Sequence, residues 1–127
     1  MKNQIKILII DDEEDVVRVL TIRLEALGYK VISAADGLAG LEKVRSEKPD
    51  LALLDIMLPK LDGYKVCRMI KFDENLKNIP IIMLTAKAAD LDRNLGRDVG
   101  ANEYLTKPFD PDKLVALIQK YTSGSKK

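Results

Sequence analysis

The sequence predicts a single α/β domain, a doubly wound parallel sheet with helices on both faces. Three observations carry that expectation. Short apolar runs alternate five times with stretches of helical periodicity, so successive strands need right-handed crossovers through a helix. The run Leu51-Ala52-Leu53-Leu54 shows no polar alternation, which fits a strand covered on both faces. A chain of 127 residues buries roughly two thirds of its unfolded surface, enough to fold without disulfide or metal staples.

In chain order, Ile5 to Ile10 form the first strand, interrupted only by Lys6, and it ends at the acidic run Asp11-Asp12-Glu13-Glu14-Asp15. Five successive acids repel one another, yet they stand where a helix begins and its positive dipole end offsets part of that. Val17, Leu20, Leu24 and Leu27 recur at helical spacing until Gly28, a left-handed cap. Lys30 to Ala34 is the second strand, and Asp36-Gly37 turns into a helix whose apolar face takes in Leu38, Leu41 and Val44. Pro49-Asp50 ends that unit and starts the third strand, in the nearly continuous apolar run Leu51 to Pro59, with Asp55 where the strand emerges. Pro59 to Gly63 is a loop, and Tyr64 to Lys71 a short helix facing inward through Val66 and Ile70.

A polar connection from Asp73 to Asn78 precedes the fourth strand, Ile81 to Leu84, which ends at Thr85. Ala88 to Val99 is predicted to be the least stable helix, because Asn94 and Gly96 lower its propensity; Gly100 caps it. Glu103-Tyr104-Leu105 is a fifth strand ending at Thr106-Lys107-Pro108. The fifth helix has Asp110 as N-cap, Pro111 in first position, and Leu114, Leu117, Ile118 and Tyr121 on one face. Residues 1–122 are thus one domain, and 123–127 a patternless tail, disordered or the start of a linker.

Composition removes several classes of function. The chain has no histidine, so triads and dyads that use His as base are excluded. Lys plus Arg number 21 against 20 Asp plus Glu, a net charge of +1 that creates no field for nucleic acid or an anionic membrane. No apolar run approaches the ~20 residues of a membrane span, and Met1-Lys2-Asn3-Gln4 leads into a strand instead of a signal peptide. The lone cysteine, Cys67, lies in the apolar-rich stretch Val66-Cys67-Arg68-Met69-Ile70 and reads as a small core residue, consistent with a reducing cytoplasm. The expected location is cytoplasmic.

Sheets of this kind bind ligands outside the carboxyl ends of their strands. At those ends stand Asp11 and Asp12, Asp55, Thr85 and Lys107. Asp55 in isolation could be a strand-end residue that caps the next turn. Polar and ionisable residues gathered on one edge argue otherwise, since chance would scatter them. Three carboxylates brought together need a counter-cation, and an all-oxygen set suits Mg²⁺ where zinc would ask for His or Cys. A hard cation beside a lysine and a hydroxyl makes a holder for phosphoryl oxygens. The chain lacks a Gly-x-x-x-x-Gly-Lys-Ser/Thr loop, and Gly37-Leu38-Ala39-Gly40 has the wrong length and no lysine, so no bound nucleotide is expected. What remains is phosphoryl transfer onto the Asp55 carboxylate, a reaction that needs positioning and charge neutralisation far more than a general base.

These motifs in this order resemble the receiver domain of bacterial two-component response regulators from about Lys6 to Tyr121. The matching segments are Asp11-Asp12 after a strand, Leu53-Leu54-Asp55-Ile56-Met57-Leu58-Pro59 with Asp62-Gly63, Leu84-Thr85-Ala86, Gly100-Ala101, and Tyr104-Leu105-Thr106-Lys107-Pro108-Phe109. The resemblance implies strand order 2-1-3-4-5. It implies that Asp55 accepts a phosphoryl group from a sensor histidine kinase or a histidine phosphotransfer protein. By the same resemblance Asp12, Asp55 and the backbone carbonyl of Met57 bind Mg²⁺ (or Mn²⁺), Asp11 holds a metal water, and Thr85 and Lys107 bind the phosphoryl oxygens. It further implies a cis Lys107-Pro108 bond and control of water access by Met57 and Lys87. Thr85 and Tyr104 would form a switch that alters the surface of the helix from Ala88, the strand at Tyr104 and the helix from Pro111. A downstream protein or output domain would read that surface, with no direct nucleic-acid or membrane binding by this domain.

Two departures limit the transfer. Regulators with a winged-helix output often dimerise through that face using an Arg on the last helix, where this chain has Leu117, and Lys113 stands where an acid is usual. That dimer is therefore not carried over to this chain. Nothing follows the domain in the sequence, which reads as a single-domain regulator or a piece of a longer one. Two other classes share features with the chain. Magnesium phosphatases of the aspartyl-phosphate type want a second Asp two residues after the nucleophile, where Met57 stands; degenerate receivers usually lose an acid, Thr or Lys position, and here all are present.

Overall fold

The computed structural model describes residues 4–85 and 100–123. Within them the chain runs β1 (Lys6–Ile10), α1 (Glu14–Ala26), β2 (Lys30–Ala34), α2 (Gly37–Glu47), β3 (Leu51–Asp55), α3 (Gly63–Lys71), β4 (Ile81–Thr85), β5 (Glu103–Thr106) and α4 (Pro111–Thr122). The strands form one sheet ordered β2-β1-β3-β4-β5, every neighbouring pair parallel, which is the expected topology. Four helices occur among the described residues. The helix expected over Ala88 to Val99 and the tail beyond Ser123 lie outside them.

Strand periodicity explains the two-sided core. Side chains alternate faces along a strand, so Leu8, Ile10, Ala52, Leu54, Ile81 and Met83 pack with Leu41 and Val44 of α2 and Val66, Cys67 and Ile70 of α3. Ile7, Ile9, Leu51, Leu53, Ile82 and Leu84 pack on the other face with Leu20 and Leu24 of α1 and Leu114 and Ile118 of α4. An Arg23–Asp112 ion pair joins α1 to α4. Burial pushes the Cys67 thiol up to about 12, so it behaves as the expected core residue and not as a nucleophile.

Helix starts follow the sequence signals. Asp36, Asp62 and Asp110 each accept a hydrogen bond from a backbone N–H in the first turn of α2, α3 and α4. Gly28 has the expected left-handed backbone, with φ 97°. Two apolar-face expectations were wrong. Leu38 is 53 % exposed, because the α2 face turned to the sheet is set by Gly37 and Gly40, where a side chain would collide with Leu61 and Ile10. Leu27 is 52 % exposed, since it caps α1 just where the chain turns away at Gly28. The connection from Asp73 to Asn78 is not purely polar in packing either, as Leu76 plugs the α3 side of the core.

Candidate functional site

Pairing register brings the polar strand ends together. Ile10 lies opposite Leu54, and Asp55 opposite Leu84, so Asp11 and Asp55, the residues after Ile10 and Leu54, stand side by side at the carboxyl edge of the sheet. Thr85 pairs with Thr106, and Lys107 is the next residue. Asp11 and Asp55 are buried and Asp12 is exposed. Asp11 is fixed by its own N–H, which donates to the Ala34 carbonyl at 3.1 Å, and by its Oδ1, which accepts from Glu13 N at 2.9 Å. Asp55 Oδ1 accepts from Met57 N at 3.1 Å.

Lys107 reaches into this group from the end of β5. Its Nζ donates to Asp11 Oδ2 at 2.8 Å, Glu13 Oε1 at 2.6 Å and Asp55 Oδ2 at 3.4 Å. One ammonium therefore faces several carboxylates, and the negative charge is only partly offset. Burial and, after it, repulsion from Asp11 push the Asp55 carboxyl up to about 6, against the pull of Lys107. Burial works to lower the Lys107 ammonium, but its hydrogen bonds to Asp11 and Glu13 outweigh this and hold it above its usual range. Both values rise, which favours the neutral acid but the charged lysine in one pair. Distance reconciles them, since the ammonium is committed to Glu13 and Asp11 and gives Asp55 only its longest contact.

One oxygen from each of Asp11, Asp12 and Asp55 lies within 4.8 Å of the other two. Such a set of hard oxygen donors, with waters completing the shell, fits Mg²⁺. The loop after β3 turns back onto the end of that strand. Gly63 N donates to the Ile56 carbonyl at 2.9 Å, and a Cβ at Gly63 would run into the Asp55 carbonyl oxygen. Gly37 N donates to the Pro59 carbonyl at 3.4 Å and Lys60 pairs with Asp36 at 3.7 Å, which ties the loop to the start of α2.

The structure thus gathers Asp11, Asp12, Asp55 and Lys107. Met57 stands beside them and is 71 % exposed. Lys87 and the side chain of Thr85 lie outside the described residues. Tyr104 is away from the acid edge, opposite Met83 in the β4–β5 ladder and partly buried against the core on the α2–α3 side. The Lys107-Pro108 bond is cis, as expected. Glu13 is the residue that sequence reasoning passed over, having been read only as one of five acids at a helix start. The available signal was its type, since Glu is a poor N-cap. Beside Lys107 an open groove of about 510 Å³ runs along α1, lined by Val16, Val19, Leu20, Pro108, Phe109 and Pro111. Among the described residues no helix is long and apolar enough to cross a membrane.

Residues 7–119 match the family model described as response regulator receiver domain. The alkaline phosphatase synthesis transcriptional regulatory protein PhoP of Bacillus subtilis is 48 % identical over 114 residues, which are 90 % of this chain and 47 % of that protein. The chain spans about half the length of the curated relatives it matches. Among solved structures, the receiver domain of the sensor histidine kinase PA1611 of Pseudomonas aeruginosa, with a magnesium ion coordinated in its active site cleft, superposes with a TM-score of 0.87. It is 36 % identical, covering 95 % of this chain and 99 % of that one. A CheY-like response regulator receiver domain protein of Methanospirillum hungatei gives a TM-score of 0.88 at 30 % identity, covering 98 % of each chain.

Proposed function

Because this chain belongs to the receiver domain family of two-component response regulators, we propose that it is a phosphorylation-driven switch with Asp55 as the acceptor. The observation that carries this reading is a buried carboxylate at a strand end, flanked by Asp11 and Asp12 oxygens within 4.8 Å and by the Lys107 ammonium at 3.4 Å. An Asp55 oxygen forms the new O–P bond while the P–N bond of a phosphohistidine donor breaks. The freed imidazole keeps the electron pair and takes a proton from solvent. Asp11, Asp12, Asp55 and the Met57 carbonyl would hold Mg²⁺, which when bound neutralises charge on the incoming phosphoryl group. Lys107 and Thr85 bind the phosphoryl oxygens, and burial, with the Asp11 charge after it, holds the Asp55 carboxyl above its ordinary value, as functional carboxylates often are.

The donor is a histidine kinase or phosphotransfer protein, and the apolar groove beside Lys107 offers it a docking surface next to the acceptor. Residues 1–122 act as the switch unit in the cytoplasm. The output is a partner or an attached domain reading the face of β5, α4 and the helix expected over 88–99; the names of the relatives, transcriptional regulators, favour an output on gene expression. Incubation with a small phosphodonor and Mg²⁺, followed by intact mass, tests the acceptor. One phosphoryl group is expected, lost in Asp55→Asn and in the presence of chelator. Labelling that survives the substitution refutes the assignment.

A further inference from the structure

Glu13 stands at the acid edge without a task in that reading. An N-cap side chain ordinarily accepts a backbone N–H of the helix it starts, but Glu13 caps α1 and makes no such bond. Its backbone N–H is tied to Asp11 Oδ1 at 2.9 Å and its carboxylate to the Lys107 ammonium at 2.6 Å, while Asp11 Oδ2 holds the same ammonium at 2.8 Å. Asp11, Glu13 and Lys107 close a ring. The ammonium sits 3.4 Å from Asp55, its longest contact of the three. The ammonium has three N–H donors, and it lies close to Asp11 and Glu13 and farther from Asp55, so the pull of Glu13 sets how near it comes to Asp55.

Resting on the reading that Asp55 takes the phosphoryl group, we propose that Glu13 is a positioning residue that parks Lys107 in the unphosphorylated protein and shortens the life of the phosphorylated one. A phosphoryl group on Asp55 presents oxygens beyond the carboxylate, and Lys107 must leave Glu13 to point at them. Glu13 then competes for the ammonium and draws it back. The competition is graded, because the Glu13 side chain is 58 % exposed and a partly solvated ion pair is weak. It tunes the balance between the two states without deciding whether the chemistry occurs.

The test compares the full chain with Glu13→Gln and Glu13→Asp at saturating Mg²⁺, using beryllium trifluoride as the phosphoryl analogue. Both variants are expected to bind the analogue about three- to tenfold more tightly and to lose a phosphoryl label more slowly by a similar factor. Asp keeps the charge but is one methylene short of the ammonium. Its agreement with Gln therefore supports positioning, and its agreement with wild type would mean a mere field effect and overturn the proposal. In the metal-free protein the Lys107 ammonium protons, followed by ¹⁵N-lysine NMR, should exchange with water faster in both variants; unchanged exchange overturns the parking contact. Unaltered analogue binding in both variants, beside a wild type that responds through Asp55, removes the role of Glu13 alone. A wild type that takes up the analogue without dependence on Asp55 removes the parent reading, and the lifetime claim falls with it.

Discussion

At the scale of single residues, Asp55 weakens the metal-free fold that it serves. Its folded pKa of about 6 stands above the 3.8 of an unperturbed carboxyl, chiefly through burial. The contribution of its protonated form is present in full below about pH 4 and is lost as pH rises through about 6, because the folded state resists ionisation that the unfolded state accepts. Asp55→Asn keeps the shape without the charge. In chelator it should be more stable than wild type by on the order of 1 to 3 kcal/mol at pH 7, with the difference vanishing near pH 4. Saturating Mg²⁺ should erase or invert the difference. Urea melts at pH 4, 5, 6 and 7 check this, and a gap that grows as pH falls would contradict the cause given. Met57 supports a second expectation, since an exposed thioether beside the acceptor cannot orient a water for attack on an acyl phosphate. Met57→Asn should shorten the phosphoryl half-life by several-fold, on the order of 1 kcal/mol in the barrier, measured as loss of label from the purified phosphoprotein.

At this scale the sequence was readable where residue type and place disagreed. A lone carboxylate in an apolar run and a lysine just after a strand have few structural explanations, so Asp11, Asp12, Asp55 and Lys107 could be named in advance. Glu13 could not, because a Glu among acids at a helix start has an ordinary explanation in the helix dipole. Its contact with Lys107 spans 94 positions of sequence and depends on the sheet bringing β1 and β5 ends to one edge. Leu27 misled because it ends α1 where the chain turns away at Gly28, and Leu38 for a reason of packing. Helical spacing gives the angle of a residue around its helix, but the roll of the helix on the sheet is fixed by close contacts at Gly37 and Gly40.

At the scale of elements, the loop between β3 and α3 matters most for function, because it carries Met57 and turns back onto the end of β3. Gly63 permits that return. A Cβ there would meet the Asp55 carbonyl oxygen and sit 2.7 Å from Ile56 Cα, both backbone atoms that cannot rotate away. Gly63→Ala should therefore destabilise the domain by about 1 to 3 kcal/mol, as overpacking does, and should weaken Mg²⁺ binding by moving the Asp55 backbone. A control at Gly28, where a Cβ would find nothing within 4 Å, should lose stability through its φ of 97° but leave Mg²⁺ binding intact. Thermal melts with and without Mg²⁺ separate the two. Equal Mg²⁺ affinities for Gly63→Ala and wild type would show that the loop does not brace the site. The turn residues of this loop were legible from Pro59 and Gly63, whereas its tie to α2 through Gly37 and Asp36 was not, being a tertiary contact with no local signature.

At the scale of the whole molecule, the question is how an event at the acid edge reaches a face that a partner can read. The β4–β5 ladder offers a short route. Thr85 pairs with Thr106, the neighbour of Lys107, and two steps back Met83 pairs with Tyr104. A Thr85 hydroxyl drawn toward a phosphoryl oxygen would carry its backbone, and the ladder would pass part of that shift to β5. Tyr104 is partly buried against the core on the α2–α3 side, and its hydroxyl oxygen is buried in the unphosphorylated protein. A ring packed at the edge of a sheet can act as a two-state element, and a difference of a few kcal/mol, roughly, is enough to move it from one rotamer to another. Phosphorylation, or the beryllium analogue, should then change the environment of the Tyr104 ring and change amide exchange most in β5, in α4 and across residues 86–100. Replacing Thr85 with Ala should remove the Tyr104 response while leaving Asp55 able to accept the phosphoryl group, because the hydroxyl transmits the event and does not form the bond. Identical Tyr104 ring environments in the resting and activated protein, by aromatic NMR, would exclude this route even if the phosphoryl group is in place.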